Sequence, residues 1–124
     1  MGNYTRIIIF LSILILIFLI LKLKDLLTPK KERFLKAAKD GDLKKIKSML
    51  NKEINIKTLI KSVDKENNTA LIFASKFGYN EIVKILIENG ADVNFRNNEG
   101  KTALDLADFE DEEMKEVLRK AGAN

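Results

Sequence analysis

Asn68-Thr69-Ala70-Leu71-Ile72-Phe73-Ala74 returns 33 residues later as Lys101-Thr102-Ala103-Leu104-Asp105-Leu106-Ala107. Further on, Ile85-Leu86 and Gly90-Ala91 return as Val117-Leu118 and Gly122-Ala123, now at a spacing of 32, so the second copy has lost one residue inside. A fixed period of this length marks a chain built from stacked units, and it decides the fold before any single motif is weighed. Each unit reads helix, turn, helix, stop. Thr69 and Thr102 stand where a hydroxyl can accept a hydrogen bond from an orphan N–H at a helix start. A Gly beyond the second helix suits the left-handed residue that ends it. In that second helix Ile82, Val83, Ile85, Leu86 and Ile87 form a stripe too broad for one unit to cover, so neighbouring units must stack to bury it.

The period and these residues together resemble the ankyrin repeat. Asp64, Thr69, Leu71, Ala74, Gly78, Ile82-Val83, Leu86 and Gly90-Ala91-Asp92-Val93-Asn94 all match that family's pattern. The third unit keeps Gly100, Thr102, Leu104, Ala107, Leu118 and Gly122, and ends where a C-terminal cap would. Upstream, Phe34, Ala37-Ala38, Gly41, Ile46, Met49 and Leu50 fit a first unit. Ala37 and Ala74 are 37 residues apart rather than 33, which predicts about four extra residues before Asp64, as an enlarged loop or an added helical turn around 57–63. The resemblance implies an all-α solenoid of helix-turn-helix repeats at 33–63, 64–96 and 97–124, joined by short β-hairpin-like loops. Departures are instructive. Ala70 and Ala103 replace a helix-starting Pro. Ile72 and Asp105 replace a His whose hydrogen bonds are then missing. Asn67 replaces a turn Gly, a tolerable change because Asn visits positive φ. Three imperfect repeats are about the minimum for a stable stack.

Ahead of the repeats, residues 7–21 hold fourteen Ile, Leu or Phe residues and one Ser12. As a helix this run spans about 22 Å, short of a hydrocarbon core of about 30 Å. Tyr4 on one side and Leu23, Leu26 and Leu27 on the other lengthen it, with Lys22 and Lys24 able to snorkel. A single transmembrane helix over roughly 5–27 is therefore expected within an anchor at 1–27, followed by a short linker at 28–32. A cleaved export signal would want small residues before the cut, and none stands after Leu21 at the right place. A helix apolar all round also cannot be buried by so small a neighbour. Arg6 stands alone before the span, while Lys22, Lys24, Lys30, Lys31, Arg33 and Lys36 follow it, which predicts a cytoplasmic repeat domain. Gly2 does not signal myristoylation, since Arg6 replaces the required Ser or Thr.

The formal charge of +4 hides a gradient, with ten basic against four acidic residues in 22–47 and four against eight in 98–124. The basic end adjoins the apolar segment, where an anionic lipid surface would attract it. Neither His nor Cys occurs, which removes the commonest zinc ligands, the Cys nucleophile, the imidazole base and any disulfide. No nucleophile with a base, paired carboxylates or phosphate-binding Gly loop can be assembled, so no enzyme, cofactor, metal or small-molecule substrate is expected. Glu110-Asp111-Glu112-Glu113 reads as a charged helix start, its acids suited to the positive end of the helix rather than to a cation. Lys30-Lys31 after Pro29 marks a linker, not a nucleic-acid patch, because no stacking aromatics are interleaved with basic residues. Low Pro with much Lys, Ile and Asn hints at an AT-rich, bacterial genome.

The family resemblance implies a partner protein bound on the concave side, formed by loop tips and the outward positions of the first helices. Matched position by position, that surface comprises Lys65, Glu66, Asn68, Lys76, Phe77, Arg96, Asn98, Glu99, Lys101, Asp108 and Phe109. Phe77 and Phe109 take equivalent places near the ends of successive first helices, where exposed rings would anchor a partner; the alternative is that they fold down and pack. Phe95 and Tyr79 read as structural. The expectation is a membrane-anchored protein-interaction module. An exported, periplasmic or secreted effector or envelope protein using the N-terminus as its signal is the alternative.

Overall fold

The computed structural model describes residues 2–124, apart from the side chain of Asp25; Met1, the first residue of the expected anchor, lies outside the described residues. The chain is all-helical, and the expected hairpin-like loops are present without regular strands among the described residues. A single antiparallel bridge, Val63 to Thr69, closes one of them. Helix α1 (Gly2–Leu27) is followed by α2 (Lys30–Asp40) and α3 (Leu43–Lys52), the helices of the first repeat. A short α4 (Ile56–Ile60) comes next, then α5 (Ala70–Lys76) with α6 (Asn80–Glu88), and α7 (Ala103–Leu106) with α8 (Glu112–Lys120).

Helix α4 is where the extra residues of the first repeat go. It starts on Asn55, whose side chain accepts from the Thr58 N–H, and turns Leu59 and Ile60 into the core. Helix α2 starts at Lys30, inside the stretch read as linker, so only Thr28 and Pro29 separate it from α1. Pro suits that place because its fixed φ leads into the helix and it lacks the N–H that would go unpaired.

The two threonines of the repeated motif cap as the spacing predicts. Thr69 Oγ1 accepts from the Ile72 N–H at 3.2 Å, and Thr102 Oγ1 from the Asp105 N–H at 3.2 Å. Ile72, in place of the family's His, is 1% exposed and joins the core, trading a hydrogen bond for apolar burial of about 1.5–3 kcal/mol. Asp105 replaces the lost bonds differently. Its carboxylate accepts from the Thr102 N–H at 2.9 Å, completing a reciprocal capping box.

The core runs through all three repeats. Phe34, Ile46, Leu71, Ile82, Leu86, Met114 and Leu118 are fully buried, with Ala37, Ala38, Ala70, Ala74 and Ala103 letting the first helices approach closely. Helix α1 takes no part in this core, and every described side chain along it is exposed.

Candidate partner-binding surface

The loops between repeats are built the same way twice. Asp64 Oδ1 accepts from the Glu66 and Asn68 N–H groups, and Asn97 Oδ1 accepts from those of Glu99 and Lys101. Asn67, with φ of 65°, turns the first tip as Gly100 turns the second. The loops are also tied to one another. Asn97 donates to Asn68 Oδ1 at 2.9 Å, Asn98 N–H to the Glu66 carbonyl at 3.0 Å, and the Asn98 side chain to the Lys65 carbonyl at 3.3 Å.

These bonds sort the residues expected at the surface. Asn68 and Asn98 hold loop to loop. Arg96 donates to the Gly100 carbonyl at 2.8 Å and lies 4.0 Å from Asp105, closing the second tip. Their polar groups are thus committed within the stack. Lys65, Glu66, Lys76, Glu99 and Lys101 remain exposed, as do Phe77 and Asp108.

The Phe77 ring stands 43% exposed at the end of α5 and stacks on Phe73 at 6.5 Å between centroids, with Tyr79 tilted beside it at 6.4 Å. Lysine ammonium groups flank this ladder, Lys39 5.8 Å from the Phe73 ring and Lys76 5.8 Å from that of Phe77. Such contacts are worth about 0.5–1 kcal/mol at an exposed site and orient both groups. Beside Phe73 lies a groove of about 850 Å³, lined by Leu35 and Lys39 of α2, by Val63, and by Lys65 and Glu66 at the first tip.

Phe109 is not the counterpart of Phe77 at a helix end. Helix α7 stops at Leu106, Ala107 is extended, and the Asp108 side chain accepts from the Glu110 N–H in a local turn that competes with further helix. The residue missing from this repeat is missing here. Phe109 therefore stands 86% exposed away from the groove lining, with the Lys115 ammonium 4.6 Å above its ring and bonded to its carbonyl at 2.5 Å. Phe95 and Tyr79 are half-buried against the core.

Leu35, Lys39, Val63 and Phe73 belong to the groove and escaped the sequence reading. Phe73 and Phe77 are four apart on one helix, which places both rings on one face and could have revealed the pair. Asp105 is held below the usual aspartate range, first by the Thr102 backbone N–H, and its role is the cap already described. Among the described residues no group of three or more His, Cys, Asp or Glu is placed to hold a metal ion.

The family model of ankyrin repeats, in three copies, matches residues 34–124. The chain belongs to the ankyrin repeat family. The ankyrin stack is similar to the Notch-regulated ankyrin repeat-containing protein A of Danio rerio, at 37% identity over 61% of this chain and 68% of that one. It is also similar to the E3 ubiquitin-protein ligase XBAT33 of Arabidopsis thaliana, at 47% identity over 59% of this chain, and to the NAD-capped RNA hydrolase NUDT12 of Homo sapiens, at 34% over the same share. The chain spans 14% of the ligase's length and 15% of the hydrolase's. As an ankyrin protein, it carries a protein-interaction module.

Proposed function

We propose that the chain is a membrane-anchored interaction protein whose repeats present the groove beside Phe73, and the Phe77 ring stacked on Phe73, to a protein partner. The domains follow: an anchor at 1–27, and repeats at 33–63, 64–96 and 97–124 of which the first begins its helix at Lys30. The observation that carries the anchor is α1, in which Gly2–Lys24 is long and apolar enough to cross a membrane and has none of its span buried inside the protein. Its 23 residues rise about 35 Å, enough for a core of about 30 Å. Its single hydroxyl in the apolar run, Ser12, donates back to the Ile8 carbonyl at 2.8 Å, so that polar group is satisfied within the helix. The cationic residues after the span favour a cytoplasmic stack.

The partner surface rests on the ladder of Phe73, Phe77 and Tyr79 with Lys39, Lys65, Lys76 and Glu66 around it. Exposed stacked rings bordered by charge suit an apolar side chain of the partner flanked by polar ones. Glu99, Lys101 and Phe109 extend the surface at its rim, where contacts count for less.

Membrane flotation, followed by protease treatment of intact cells and mass analysis of the N-terminus, tests the anchor. The expected result is a floating chain that is not shortened and whose repeats are shielded from external protease. A mature chain starting beyond Leu27 would replace the anchor by the exported reading. For the groove, a photo-crosslinking residue at Lys39 or Lys65 is expected to capture a partner that the same probe at Lys44 or Glu116 does not. Equal capture from both sets would reject the groove.

A further inference from the structure

The elbow between α1 and the first repeat contains a cationic cleft that adjoins the interaction groove through Glu32 and Lys36. Its walls come from three helices and the turn between the first two: Leu21 and Lys24 of α1, Thr28 of the turn, Glu32, Arg33 and Lys36 of α2, and Lys45 of α3, four cations against one carboxylate in a volume of about 350 Å³. Lys36 is paired with Asp40. Lys24, Arg33 and Lys45 have no carboxylate within ion-pair distance among the described residues. The Arg33 Nε is buried with no hydrogen-bond partner. An unpaired buried donor on a permanently charged guanidinium is costly, and an anion removes the cost.

Arg33 is shared with a second hollow of about 410 Å³ on its other side, lined by Leu19, Lys22, Leu23 and Leu26. Lys22 is parked over the Phe18 ring at 5.7 Å. One side of Arg33 is thus a cationic cleft and the other an apolar ridge continuous with the span. A lone phosphate would use only the first, whereas a phospholipid uses both.

We propose that the elbow is a binding site for an anionic phospholipid, its headgroup phosphate held by Arg33, Lys24 and Lys45 and one acyl chain lying along Leu19, Leu23 and Leu26. This rests on the membrane anchor proposed above. The site fixes the angle at which the repeats leave the bilayer, because it joins α1 to α2 and α3 across a two-residue connection.

The test uses the full chain in nanodiscs of equimolar phosphatidylglycerol and phosphatidylcholine, with retained lipid identified by native mass spectrometry. Wild type is expected to retain phosphatidylglycerol about tenfold over phosphatidylcholine, the effect of roughly one extra paired charge. Lys24→Gln with Arg33→Gln and Lys45→Gln should bring the ratio close to one without altering flotation. The matched control, Lys47→Gln with Lys57→Gln and Lys61→Gln, three exposed lysines outside the cleft, should keep it. A floating wild type with no preference, or a control that loses it equally, overturns the site while leaving the anchor standing. A wild type that does not float overturns both. Inorganic phosphate that abolishes the preference at millimolar concentration would assign the cleft to a free anion and overturn the lipid.

Discussion

A Cβ placed on Gly41 would lie 2.5 Å from Cε1 of Tyr79, so the turn of the first repeat and the aromatic opening the second helix of the next repeat are fitted to each other. Gly41 ends α2 in the left-handed region, at φ of 73°. Gly78 occupies the equivalent place one repeat on, at φ of 78°, with nothing near its missing Cβ. The two positions share backbone strain and differ only in the neighbour. Gly78→Ala should cost about 1–2 kcal/mol for the left-handed residue alone. Gly41→Ala should cost about 1–3 kcal/mol more, for the displaced ring. Urea unfolding of the full chain in detergent measures both. Tyr79→Ala should bring the Gly41→Ala penalty down to that of Gly78→Ala, and a penalty unchanged by removing the ring would refute the fit.

Asp105 predicts a pH dependence with a definite sign. Its pKa is lowered in the folded chain, chiefly by the Thr102 backbone N–H. The native state therefore holds the charged form more firmly than the unfolded chain does, whose aspartate titrates near about 3.9. The stabilisation is complete above that unfolded value and is lost as the pH falls through the lower folded one. With its side chain 41% exposed, solvent screening keeps the effect modest. Asp105→Ala should cost about 1 kcal/mol at neutral pH, as loss of a cap does, and should flatten the acid limb of a stability-against-pH curve. A variant as steep as wild type in that limb would remove Asp105 as its source.

What could be read in the chain is what the backbone itself demands. Thr69 and Thr102 cap, and Asn67 adopts positive φ, because a helix start and a tight turn tolerate few residue types. The surplus of residues before Asp64 became α4 because its Ile and Leu residues needed burial and Asn55 could start a helix. The candidate site was less legible. Asn68, Asn98 and Arg96 are polar loop residues, and composition does not tell whether such groups bond to a partner or to the next loop. Phe109 was displaced by a single deletion, which periodic alignment places only to within a turn. Phe73 was hidden because its motif reads as core while its ring, half-buried, faces the groove.

Ser75 should yield a stabilised variant. Its side chain is fully buried and its hydroxyl has no hydrogen-bond partner. Ala38 holds the equivalent place in the first repeat and is equally buried. Removing an unsatisfied buried hydroxyl without changing the backbone should raise stability by about 1 kcal/mol. A rise in the urea midpoint of Ser75→Ala at unchanged slope is the expected reading. A fall would reveal a partner for the hydroxyl, such as an ordered water.

Asn68 and Phe77 separate scaffold from contact on one face. Asn68 bonds to Asp64 through its backbone N–H, its carbonyl and its side chain, and receives the Asn97 amide, so four hydrogen bonds converge on it. Phe77 touches Phe73 and Tyr79 yet leaves much of its ring in solvent. Asn68→Ala should lower stability by about 1–2 kcal/mol, since it strands bonds between loops. Phe77→Ala should change stability by only about 0.5 kcal/mol, as exposed positions do. Affinity for the partner captured at the groove should respond in the opposite order. Phe77→Ala should weaken it about tenfold or more, in the manner of an aromatic anchor, while folded Asn68→Ala keeps most of it. If Phe77→Ala instead destabilises as strongly as Asn68→Ala and binds as wild type does, the ring is a packing element and the contact surface lies elsewhere.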